Sequence, residues 1–278
     1  MRKFIFAFLL ITCSVSAQDN EKYKLINASD KFGISSIDIL DSYLSPLVYT
    51  GVGFRYEHAE SKFLLSDNDR FIATGKWFAL AGMTLNPQYT GTMTYLGVAY
   101  SWGVHYRLPD IYGFRLYGGA NVDARYAMKT NDRNVNNPYN MDMATNLNLS
   151  GIVQYDIATR KRLMRLNYRI ETPVLGCMFV PENGASYYEM FDVGIVKNAF
   201  LFSSLHNKTG VSSELSIDIP FKHSEWTFGL GSSNLKYKAN NLLFRQNTVF
   251  LNVGVKYDLY IFSGMKNRAP ANFRNAGL

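Results

Sequence analysis

Residues Asn247 to Phe262 read NTVFLNVGVKYDLYIF. The odd positions Val249, Leu251, Val253, Val255, Tyr257, Leu259 and Ile261 are all apolar. The even positions carry Asn252, Gly254, Lys256 and Asp258, with Phe250 and Tyr260 near the two ends. Successive side chains of a strand point to opposite faces, so this stretch is a strand with one greasy and one polar face. It exceeds the roughly 9–11 residues that a tilted strand needs to cross a bilayer. A soluble sandwich or a lipocalin-like barrel alternates too, with its apolar face turned inward. The rest of the chain must decide between them.

Upstream, the same period recurs. Residues 114–128 set Phe114, Leu116, Ala120, Val122, Ala124, Tyr126 and Met128 against Arg115, Tyr117, Asn121, Asp123 and Arg125. Residues 92–107 set Leu96, Val98, Tyr100, Trp102, Val104 and Tyr106 against Gly97, Ala99, Ser101, Gly103 and His105. Further strands are expected at 33–59 (two, flanking Ser45-Pro46), 72–85, 146–157, 163–172, 187–196, 199–206, 211–219 and 225–238. The total is about twelve, an even number, as single-chain bacterial outer-membrane barrels have. With the N-terminus periplasmic, the connections at 108–113, 158–162, 197–198 and 220–223 fall on the periplasmic side and are short. The longest, within 129–145, falls outside, where long loops belong. The connection after the second strand is the exception.

The first residues address the chain for export. Arg2 and Lys3 precede an apolar run, Phe4–Thr12, and Val15-Ser16-Ala17 suits signal cleavage before Gln18. Cys13 as a lipoprotein cysteine is the alternative, poorly served by Thr12 before it. The expected organisation is a signal peptide at 1–17, a periplasmic lead-in at 18–32, a barrel at 33–262 and a periplasmic tail at 263–278. After Gln18 no apolar run of about 18 residues exists, which excludes a membrane helix. Nineteen Tyr and nineteen Phe suit the aromatic girdles of a barrel. The formal charge of +7 becomes +5 without Arg2 and Lys3, and it is scattered. No basic patch points to nucleic acid. Cys177 is the one cysteine after the signal, which leaves no disulfide framework.

The closing strand's Asn252-x-Gly254-x-x-Tyr257-x-Leu259 is similar to the polar-x-Gly-x-x-aromatic-x-apolar pattern that ends bacterial outer-membrane barrels. With Gly33-Ile34-Ser35-Ser36 through Leu44-Ser45-Pro46 and with Tyr237-Lys238-Ala239-Asn240-Asn241, the chain resembles a family of small outer-membrane barrels of unassigned function found in Bacteroidota. The resemblance spans nearly the whole mature chain and implies the barrel and the outer membrane. It brings no catalytic residues. Residues 263–278 depart from the pattern, because many such barrels end on the closing-strand aromatic.

The expectation is therefore an all-β, transmembrane, antiparallel up-and-down barrel in outer-membrane lipid, inserted by the barrel assembly machinery. It would be a narrow channel, a small-ligand binder or a structural surface protein, without cofactor. Its polar face gathers Arg55, Glu57, Arg115, Asp123, Arg125, Arg165, Arg169, Glu171, Glu214, Asp218, Lys256 and Asp258, read as a charge network filling the lumen. The enzymatic alternative is a lipid hydrolase using Ser204 and His206, with Asn207 as a third member and no acidic partner. A soluble periplasmic β-protein that binds an apolar ligand is a third possibility. His58, His105, His206 and His223 share no metal-binding spacing. Asn207-Lys208-Thr209 matches a glycosylation sequon by composition alone.

Overall fold

A computed structural model describes residues 25–65, 68–159, 162–192, 195–221, 224–260 and 278. The expected signal peptide, His223 and residues 263–277 lie outside them. The strands are β1 Leu25–Asp41, β2 Ser45–Phe63, β3 Phe71–Leu85, β4 Thr92–Arg107, β5 Phe114–Asn131 and β6 Tyr139–Ala158. They continue with β7 Leu163–Phe179, β8 Phe200–Ser204, β9 Lys208–Pro220, β10 Glu225–Ala239 and β11 Leu242–Tyr260.

Neighbours pair antiparallel in the order β6-β5-β4-β3-β2-β1-β11-β10-β9-β7, and β6 pairs β7 to close the ring. The seam between β1 and β11 runs unbroken from Leu25↔Tyr260 to Asp41↔Phe244. The result is a closed barrel of ten strands plus the short β8, which lies along the upper part of β7. Closure of the ten-strand ring pairs the backbone around the bore, the condition for it to cross a bilayer as strands, and leaves an unpaired edge only at the top, along β8 and the first residues of β9.

The faces settle which side is greasy. Val249 and Leu251 are each 55% exposed on the outer wall, whereas Asn252 and Lys256 are 5% and 8% exposed inside. Leu96, Val98, Trp102, Val122, Leu149 and Leu230 also face out. A soluble barrel would have the reverse arrangement, so the soluble alternative fails. Ring pairs Phe71–Tyr106 and Phe114–Tyr155, together with Trp226, lie on the outside near the turns of one end, where a girdle at the lipid–water boundary belongs. The opposite end carries the longest connection, 180–199, and is therefore extracellular.

Several expected strand positions need correction. Residues 187–196 are not a strand. They form helix α1, Tyr187–Asp192, followed by a 3-10 turn over Ile195–Ala199. The cause is local: Ser186 Oγ accepts from the Glu189 N–H at 3.2 Å while Glu189 takes the Ser186 N–H at 2.8 Å, a capping box. The count falls from about twelve accordingly, and the strand expected at 199–206 shrinks to β8. β1 starts at Leu25, inside the expected lead-in. The Asn-rich stretch 129–145 is mostly strand, with only 132–138 connecting, because Lys129, Asn131 and Asn140 are polar side chains pointing into the lumen.

Pro173 does not end its strand. β7 runs on to Phe179 with a register shift against β6, where Leu147 pairs Leu175 and Asn148 pairs Pro173. On its other side β7 pairs β9 up to Glu171 and β8 from Leu175. Pro173, which has no N–H to donate, sits in the gap between them. The chain crosses that gap at 205–207, where Asn207 accepts the Ser204 N–H at 3.0 Å and donates to the Phe202 carbonyl at 2.9 Å.

Candidate functional site: the lumen and its cap

Side chains fill the lumen in three tiers. At the extracellular end, Lys129 is wholly buried and pairs with both Asp41 and Asp142 at 2.5 Å, above the Phe244 ring. Asn140 donates to Asp41 at 2.8 Å and Tyr237 to Asp142 at 2.6 Å. β1 and β6 stand on opposite sides of the ring, so this tie spans the bore. Around it lies an apolar cluster that includes Ile37, Ile39, Tyr49, Met93, Phe179, Tyr187 and Met190. α1 contributes Tyr187 and Met190 to it. The Tyr187 hydroxyl reaches Asn140 at 2.6 Å, and Tyr43 donates to the Ala185 carbonyl at 2.9 Å. Asn240 holds the two ends of the segment through the carbonyls of Val180 and Asn198. Burial pushes the Tyr43 hydroxyl up to about 12 and raises that of Tyr187, so both stay protonated as donors. Residues 180–199 thus strap the mouth shut.

At mid-height, Lys31 bridges Glu57 at 3.1 Å and Glu214 at 2.9 Å, and Arg55 meets Glu57 at 3.3 Å. Lys76 crosses to Glu171 at 3.0 Å. Arg125 Nε donates to Asp123 at 3.0 Å, and Asn146 and Asn148 also hold that carboxylate. The inner wall is thinned for this filling. A Cβ on Gly53 would stand 2.5 Å from Ile37 Cδ1, and one on Gly231 would stand 2.4 Å from the Phe250 ring. At the foot, Asp156 takes Arg115 at 2.5 Å and Arg165 at 3.0 Å. Asp218 takes Lys256 at 2.6 Å and Asn167 at 2.5 Å, and Asp258 accepts from Asn27 at 3.0 Å. Ile72, Tyr117 and Ile152 cluster beside Phe63 and Leu278.

All twelve residues expected in the lumen face it. Eleven make pairs or hydrogen bonds there, and Arg169 makes neither with any described residue. Sequence reasoning missed Lys31, Asp41, Lys76, Lys129, Asp142, Asp156 and Lys208. Extending the inward parity of Asp123 and Arg125 by two steps would have reached Lys129.

Ser204 and His206 do meet, Oγ to Nδ1 at 2.6 Å, on the outer wall at the level of Leu175. Asn207 bonds to backbone and not to His206, so the third member expected of a triad is missing. His105 faces the lumen and bonds Ser150 at 3.0 Å, while His58 lies outside on Asp30 at 2.8 Å. Among the described residues no three of His, Cys, Asp and Glu converge to hold a metal. Cys177 is exposed on the outer wall.

A closed barrel with an apolar outer belt and a polar, filled interior is an integral protein of the bacterial outer membrane. Among solved structures, the outer membrane protease OmpT from Escherichia coli superposes with a TM-score of 0.53 at 7% identity, over 87% of this chain and 99% of that one. The transport unit of the autotransporter AIDA-I from Escherichia coli matches with a TM-score of 0.43 at 11% identity, over 88% of this chain and 94% of that one. Within this class the chain belongs to the family described as "Protein of unknown function (DUF3316)", which matches residues 3–266. No curated protein matches the sequence.

Proposed function

We propose that the protein is a capped, non-conducting outer-membrane barrel, a structural or surface protein rather than a pore or an enzyme. The observation that carries this reading is the double closure of the extracellular mouth, the Lys129 tie below and the α1 strap above. The barrel would be inserted by the assembly machinery, rest among outer-membrane lipids, and present Tyr89, Val135 and Tyr188 to the exterior. The proteolytic activity of OmpT brings nothing here, since so distant a likeness carries the fold alone. The test is single-molecule conductance in a planar bilayer. The intact protein should insert without passing steady current. Steady open current from the intact protein would sink the reading.

A second reading, hydrolysis of a lipid ester by Ser204 and His206, is favoured by their 2.6 Å contact on the lipid-facing wall. Histidine would take the serine proton as the hydroxyl attacks, the ordinary division of labour in such a couple. Fatty-acid release from phospholipid micelles that disappears in Ser204→Ala would establish it. Release that is absent, or unchanged in the variant, removes it.

A further inference from the structure

We propose that the chamber at mid-height of the lumen holds a small oxyanion, a phosphate or a carboxylate, gripped by Arg125 and Arg169. The chamber has a volume of about 110 Å³, and about 10–15 Å³ admits one water, so it takes several waters or one small ion.

Each carboxylate bordering it is already engaged. Glu57 and Glu214 share Lys31, Glu171 holds Lys76, and Asp123 is taken by Arg125 Nε and two asparagines. What remains is donor surplus. The guanidinium of Arg169 lines the chamber without a hydrogen bond or ion pair to any described residue. Among the described residues Arg125 commits only Nε, and its terminal nitrogens make no hydrogen bond, with 43% of its side chain accessible. Arg55 Nε and Ser35 Oγ line the same space, belong to residues 6% and 4% exposed, and have no hydrogen-bond partner among the described residues. Lys208 is 4% exposed beside Arg125 in an adjoining cavity, and among the described residues its ammonium meets no carboxylate, only Asn146 Oδ1 at 2.6 Å.

Water would satisfy these donors but not the excess positive charge in a space walled by protein. An uncompensated buried charge is costly, and an anion removes the cost. Two planar guanidinium forks match an oxyanion with two or more oxygens better than a monatomic ion. The site stands whether or not the barrel conducts.

The experiment follows the heat-unfolding midpoint of the detergent-purified barrel. Chloride is exchanged stepwise for phosphate, or for acetate, at constant ionic strength. A ligand that binds only the folded state raises the midpoint with its concentration. The midpoint should climb with phosphate, with acetate or with both, and the choice identifies the source. The climb should vanish in Arg125→Gln/Arg169→Gln and persist in Arg162→Gln, which alters a turn arginine at the foot. Arg169→Gln alone breaks no ion pair and gives the same test if the double variant does not fold. A flat response in the wild type, or an equal climb in the variants, overturns the proposal.

Discussion

Replacing Lys129 with Met should cost the barrel about 3 kcal/mol, near the bottom of the roughly 3–5 kcal/mol range for removing one member of a buried ion pair. Two carboxylates, Asp41 and Asp142, lose their shared cation and are left facing each other. The cost stays near that lower bound because each keeps a neutral donor, Asn140 on Asp41 and Tyr237 on Asp142. A loss of about 3 kcal/mol lowers the folding constant roughly a hundredfold, at 1.4 kcal/mol per factor of ten. The triple variant Asp41→Asn/Lys129→Met/Asp142→Asn removes all three charges and should recover to within about 1 kcal/mol of the wild type, since neutral replacement of a buried charge cluster is often nearly free. Urea unfolding of detergent-solubilised protein, followed by the fluorescence of Trp77, Trp102 and Trp226, gives the three free energies, with unchanged slope as the check on two-state behaviour. A loss below about 1 kcal/mol for Lys129→Met, or a triple variant no more stable than the single, would refute the reasoning and leave the tie worth no more than a surface ion pair.

Other perturbations read other parts of the molecule. Ile34 faces lipid near the middle of β1, 66% exposed. Ile34→Lys should destabilise the inserted barrel by about 2–4 kcal/mol, the depth-dependent cost of a cation at the bilayer midplane, as measured by refolding into vesicles. Gly53→Val should cost about 1–3 kcal/mol by overpacking against Ile37, and Gly53→Val/Ile37→Ala should regain part of it in the same assay. Ser186→Ala should cost about 1 kcal/mol of local stability at α1, seen as faster hydrogen exchange at 187–192. The Ser186 backbone and hydroxyl hold Glu189 below its ordinary 4.5. The stability it adds is therefore present above that value and lost as pH falls through the lowered folded one. The protection factors at α1, that is, exchange corrected for the intrinsic slowing of amide exchange in acid, should fall on acidification in the wild type but not in Glu189→Ala.

Much of this architecture is legible in the chain because a period of two is a local property. β11, β5 and β4 announce both faces without knowledge of their neighbours. Legibility ends where tertiary context outweighs composition. Residues 129–145 look like a loop because asparagine favours turns, yet in a filled lumen Asn131 and Asn140 are buried hydrogen-bonding groups. The reverse error befell 187–196, expected as a strand although Ser186-x-x-Glu189 carried the signature of a helix start. The inward charges could be named from parity, but their partners could not. Lys76 and Glu171 meet because β3 and β7 face each other across the ring, and that depends on strand number and shear. Ser204 and His206 are close in sequence, so their contact could be anticipated, while the orientation of Asn207 away from them could not.

The most direct test of a closed barrel with its apolar face outward is gel mobility of the detergent-purified protein with and without boiling, paired with circular dichroism before heating. A β-rich spectrum and a faster band that shifts on boiling are expected, because ten strands closed into a ring should resist the gel detergent until heated. An unshifted band from a protein that stays soluble once detergent is withdrawn would contradict the closed membrane barrel outright.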